Sequence, residues 1–227
     1  MEYLPWGLDK DIVPVVMHVE TGPPVSSSDG DLSAKTQQAP SQPAAVEKPA
    51  RTEIPVINPK ENFPLLNSAC AALRTIQQRD YAALAAWVHP ERGVTFTPYS
   101  TVDPESDLNF SAAQVKKFGT DSERYIWGAV PGTGELIQMT PEEFVSRYIF
   151  GADYTQASKI GIDKINISGN ALENVTEAYS DCRFVEFTFP GAGTGAQGQD
   201  WNSLKMVFAP AETQWYLVAL IHSQWTV

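Results

Sequence analysis

At 227 residues, with 43% hydrophobic and 11% aromatic content, the chain carries enough apolar material for one large packed domain or two small ones. A formal charge of -11 excludes a nucleic-acid binder that works by neutralising phosphates, because counterion release needs a Lys/Arg surface. An anionic membrane surface is disfavoured on the same ground, and no run approaches the roughly 18 apolar residues of a bilayer span.

The N-terminal run IVPVVMHV (12–19) is interrupted by Pro14 and His18 and follows Lys10 and Asp11, a poor basic region. No small-residue cleavage site or lipobox Cys follows it, so the reading is a cytoplasmic protein or one whose true start lies upstream. No aromatic residue occurs between Trp6 and Phe63, and residues 21–59 are dominated by Pro, Ser, Ala, Gln, Thr and Gly. Such a stretch cannot bury enough apolar area to offset its ordering entropy, about 1 to 2 kcal/mol per residue for the backbone. Residues 1–57 are therefore expected to be a disordered tether or tail, and residues 58–227 one folded domain.

In the domain, Leu65, Ala69, Ala72, Leu73 and Ile76 recur at helical spacing and predict a helix to about Gln78. Asp80 can cap a second helix that Pro90 stops, with His89 at its C-terminus. GVTFTPY (93–99) reads as a strand with Val94, Phe96 and Pro98 on one face and Thr95, Thr97 and Tyr99 on the other. Ser111 and Gln114 match a capping box. RYIWGAV and ELIQM, joined by PGTG, predict a hairpin, and Thr140-Pro141-Glu142-Glu143 predicts a helix start running to about Phe150. KINIS (164–168), CRFVEFTF, NSLKMVFAP and QWYLVALIHSQW then read as an antiparallel meander. The fold class is α+β, with helices on one face of the sheet.

The two cysteines, Cys70 and Cys182, belong to no CxxC or Cys/His cluster, and three His residues offer no metal-ligand spacing. No metal or other cofactor is expected, and the thiols read as free, a disulfide remaining open. The Gly-rich PGAGTGAQGQ (190–199) lacks both a following helix and a Lys-Ser/Thr pair, so it is a hairpin loop and not a phosphate loop.

The element order resembles the NTF2-like (cystatin-like cone) superfamily, in which a curved antiparallel sheet wraps around N-terminal helices to form a conical pocket. More narrowly, HPERGVTFTPYSTV, YIWG with its PGTG turn, and DWNSL followed by WYLVALIHSQWT are similar to a bacterial family often found in exported proteins or lipoproteins. That resemblance implies an extracytoplasmic protein, the alternative being cytoplasmic, and the superfamily implies that a homodimer can form through the sheets.

Catalytic cones use a carboxylate or His base in an apolar pocket, which makes His89, Tyr99, Glu186, Asp200 and His222 the residues to weigh. Glu186 alternates with Phe184 and Thr188. It lines the cone if that face points inward, or meets water if Val185, Phe187 and Phe189 pack the core. His222 lies on an apolar strand face with Tyr216, Val218 and Leu220, opposite Trp215, Leu217, Ala219 and Ile221, and is either a satisfied structural imidazole or a base. The expected pocket comprises Tyr99, Trp127, Glu186, His222 and Trp225. Two functions stay open: a non-enzymatic domain binding a small apolar ligand or a protein, and a lyase, isomerase or hydrolase using Glu186 or His222.

Overall fold

The computed structural model describes residues 60–191, 199–212 and 214–226. The tether expected over 1–57 and most of the Gly-rich loop lie outside the described residues.

Helix α1 (Asn62–Gln77) buries Leu65, Ala69, Ala72, Leu73 and Ile76, the stripe its spacing predicts. Helix α2 (Tyr81–Ala85) is capped by Asp80, whose side chain accepts from the Ala83 N–H, but it is one turn long. Instead of continuing to Pro90, the chain extends along the sheet: His89 N–H donates to Leu217 O and Leu217 N–H to Trp87 O. His89 is therefore at a β-bridge and not at the helix C-terminus expected for it. Its Nδ1 accepts from the Glu91 and Arg92 N–H groups at 3.2 and 3.1 Å, so the imidazole is held neutral with its proton on Nε2, and burial lowers its pKa.

Strand β1 (Val94–Thr97) pairs with the two-residue β2 (Asn109–Phe110), and α3 (Ala112–Val115) begins where Gln114 Oε1 accepts from the Ser111 N–H. β3 (Tyr125–Ala129) and β4 (Leu136–Met139) form the expected hairpin as a separate two-stranded sheet. The Thr140/Glu143 capping box opens α4 (Pro141–Phe144), which widens into a π-helical turn over Val145–Ile149. KINIS is not a strand. The strand is β5 (Lys159–Ile162), ended by Asp163 at φ 52°, whose carboxylate accepts from the Phe184 N–H.

After Asp163 the chain crosses the sheet, forms the short α5 (Val175–Ala178) and enters β6 (Arg183–Phe189), β7 (Asn202–Ala211) and β8 (Gln214–Gln224). The six-stranded order is β2-β1-β8-β7-β6-β5. Every neighbour is antiparallel except β1 and β8, which run parallel, so the first strand of the domain closes onto the last. The α+β class stands, with a curved and mainly antiparallel sheet against the N-terminal helices.

Both faces of this sheet are covered. On the helix side, Val185, Phe187, Leu204, Met206, Phe208, Trp215, Leu217 and Leu220 join α1, Phe96, Phe118, Trp127 and Phe144 in the main core. On the other, Val102, Val175 and Tyr179 cover Phe184, Val207, Val218, Ala219 and Ile221. A β-bulge sets this partition: Val207 opposes Ala219 but Phe208 opposes Leu217, leaving Val218 as the extra residue. Strict alternation along β8 therefore fails there, and Trp215 and Leu217 share the helix-side face with Leu220 and His222 instead of opposing them.

Candidate functional site

Glu186 and His222 lie on opposite sides of the sheet. The structure does not bring them together in one pocket.

Glu186 is directly opposite Lys205 on β7, and both are fully buried on the face away from the helices. This differs from either reading of its strand: Val185 and Phe187 do pack the core, but the other face is roofed by residues 163–182 instead of meeting water. Ser203 Oγ donates to Glu186 Oε1 at 2.7 Å, and the Asn166 N–H donates to Glu186 Oε2. Lys205 Nζ lies 3.3 Å from Glu186 Oε1 and 2.7 Å from Glu173 Oε2, and donates to Ser223 Oγ at 2.9 Å. Burial raises the Glu173 carboxyl above the ordinary carboxylate range, against the opposing pull of Lys205. Two carboxylates and one ammonium thus tie the crossing segment to three strands. Lys205, Glu173 and Asn166 escaped the sequence reading; the available signal was that Lys205 interrupts an apolar strand as Glu186 does.

His222 faces the helix side. Its Nδ1 is 2.9 Å from Pro98 O, and because a carbonyl only accepts, Nδ1 carries the proton. This bond joins β8 to the end of β1. The Tyr148 ring packs edge-on at 5.6 Å, and Phe144 stacks on Tyr148 on one side and on Trp127 on the other, the latter at 3.8 Å and 8°. Side chains fill the space between the sheet and the helices along this line. Burial lowers the His222 pKa to about 4, so the ring is neutral at physiological pH.

A histidine whose folded pKa is depressed contributes stability that is complete above the unfolded value near 6.5 and is lost as pH falls through 4. The full loss is about 3 kcal/mol at 1.36 kcal/mol per unit. Urea unfolding at neutral pH and near pH 4 should show this loss in the wild type and a smaller one in His222→Gln, whose amide can still donate to Pro98 O. Equal pH dependence in both would remove His222 as its source.

An open cleft of about 470 Å³ lies where the end of β1 meets β3 and the crossing segment. Pro98, Tyr99 and Trp127 supply apolar wall, and Asp107, Asn170 and Thr226 supply polar groups. Its size falls in the range of small-molecule sites, about 300 to 1,000 Å³. Trp127 is fixed by donation from Nε1 to Met139 O at 2.9 Å, and Asn170 Oδ1 holds the chain end by accepting from Thr226 Oγ1 at 2.8 Å. The Tyr99 hydroxyl is pushed up to about 12, first by burial and then by Tyr148. Burial likewise raises Asp107, whose Oδ2 accepts from the Asp103 N–H at 2.8 Å.

Of the expected pocket residues, Tyr99 and Trp127 line this cleft, while Glu186 and His222 do not. Trp225 packs beside Gly169, where a Cβ would lie 2.9 Å from Trp201, and only the adjacent Thr226 reaches the cleft. Asp200 lies beside Gly191 before β7. Asp107 and Asn170 have no periodic signature that could have marked them.

Cys70 and Cys182 are free; Cys182 donates to Asp181 at 3.2 Å, and burial pushes its thiol up to about 12. No group of three or more His, Cys, Asp or Glu among the described residues could hold a metal ion, and no helix among them is long and apolar enough to cross a membrane.

No protein-family model matches the chain, and no curated protein matches it. Among solved structures, the chain is similar to an NTF2-named protein carrying five substitutions, at 10% identity and TM-score 0.33 over 71% of this chain and 99% of that one. A protein described as a calcium/calmodulin dependent protein kinase II association domain from Xanthomonas campestris matches at 13% identity and TM-score 0.29, over 71% and 84% of the two chains. An NTF-2 like protein of unknown function from Shewanella oneidensis MR-1 matches at 8% identity and TM-score 0.29, over 71% and 98%.

Proposed function

We propose that this is a binding domain whose site is the cleft at the mouth of the cone. The observation that carries this reading is the contrast between the packed Phe144-Tyr148-His222 line inside and the open, polar-tipped cleft outside, walled by Pro98 and Tyr99 and backed by the buried edge of Trp127. Small-molecule sites combine apolar walls with a few fixed polar groups, which Asp107 and Asn170 provide here. Separation of Glu186 from His222 by the sheet favours binding over acid–base chemistry by that pair.

Filling the cleft is the test. Ala171→Trp places an indole in it from a partly exposed position and should weaken binding of an aromatic fragment by about tenfold or more, with the fold retained. Undiminished affinity in the variant would move the site elsewhere.

The extracytoplasmic placement rests on resemblance to exported proteins, and fractionation of cells carrying the native protein tests it. A dimer made through the sheet face opposite the helices would have to displace the 163–182 segment, which buries Val175 and Tyr179 there.

A further inference from the structure

We infer that the cleft takes a ligand bearing an ammonium group next to an aromatic or aliphatic body, with Asp107 as the anionic partner; this rests on the cleft being the binding site. Asp107 is the one carboxylate among the residues that line it, and because no Lys, Arg or His lines it, Asp107 faces no cation from the cleft walls. The other polar groups there cannot neutralise that charge. Asn170 Oδ1 is already an acceptor for Thr226, and the Thr101 hydroxyl donates outward to Leu172 O at 2.9 Å.

Asp107 is held in place independently of any ligand. Its N–H donates to Asp103 O at 2.8 Å and its Oδ2 accepts from the Asp103 N–H, so the loop presents the carboxylate on a fixed turn. Asp103 adds negative potential beside it, and burial disfavours the ionised form of Asp107, a cost that an incoming cation offsets. Tyr99, which is partly exposed, supplies ring surface for the body of the ligand and a quadrupole that attracts positive charge, while Trp127, buried and stacked on Phe144, backs the wall. Arg147, whose charge reaches the Tyr99 hydroxyl, packs 5.5 Å over the ring of Tyr148 and lines a separate depression with Arg124 and Glu143. An anionic ligand would meet Asp107 unscreened, and a neutral one would leave its charge uncompensated.

A matched panel on the full chain tests the inference: phenethylamine, phenethyl alcohol and phenylpropionate, titrated at neutral pH and low salt with amide NMR shifts of Gly128, Asn170 and Ala171 as the readout. The ammonium probe should bind about tenfold more tightly than the alcohol, with the carboxylate weakest. Asp107→Asn keeps an oxygen to accept from the Asp103 N–H and should bring the amine-to-alcohol ratio near one. An alcohol that binds in the cleft as tightly as the amine, or a ratio untouched by Asp107→Asn, would overturn the cation preference and leave the cleft as the site. Absence of shifts at the cleft with all three probes would overturn both.

Discussion

Lys205→Met should cost about 3 to 5 kcal/mol of folding stability, the usual penalty for removing one partner of a buried ion pair. Lys205 and Glu186 are fully buried and the Glu173 side chain is 10% exposed, so little water can replace the ammonium. Methionine keeps most of the aliphatic stem, so the loss reports charge left uncompensated and not a cavity. With the cation gone, Glu173, already raised by burial, loses the pull of Lys205 that opposed it, and the variant should regain stability as pH falls, the reverse of ordinary acid denaturation. Adding Glu186→Gln should restore part of the loss because it removes one stranded charge. Urea unfolding of the wild type, single and double variants measures all of this. A cost under about 1 kcal/mol for Lys205→Met would show that the crossing segment does not seal this face.

Trp215→Ala should be of similar size, about 3 to 5 kcal/mol, for a different reason. The indole is 1% exposed and packs with Leu217 and Leu220 in the main core, so truncation leaves a cavity that close-packed strands cannot collapse into. Its Nε1–H has no acceptor among the described residues. Trp215→Phe removes that orphaned donor along with part of the ring, so it should cost much less than alanine. A phenylalanine variant as damaged as the alanine variant would mean that the indole N–H is bonded after all. A small effect of alanine would invert the facing assigned to β8.

Local signals carried much of the fold into the sequence. The α1 stripe, the Asp80, Ser111 and Thr140 caps, the β3-β4 hairpin and the β7-β8 turn all depend on residues within a few positions of one another, where spacing alone is decisive. Three features depended on the partner across space. Nothing near Thr95 says that it pairs in parallel with Ala219, more than a hundred residues away. Nothing in LVALIHSQW marks Val218 as a bulge, yet that one residue reverses which side chains share the core face. Glu186 was read as lining the cone or meeting water because a single strand shows two faces but not what covers them; here a crossing segment with no long periodic run forms the second roof. The site was legible in the same proportion. Tyr99 and Trp127 were named among the aromatics expected to line a pocket, while Asp107 and Asn170 sit on irregular loops that only the fold brings together.

The most direct measurement of where this protein binds is an amide NMR spectrum recorded with and without an aromatic fragment that binds. The account predicts the largest shifts at Tyr99, Gly128, Asn170 and Ala171 around the cleft, with little change at Phe144, Tyr148 and His222. Largest shifts at those interior residues, with the cleft unaffected, would contradict it and show that the space between sheet and helices opens to hold the ligand inside.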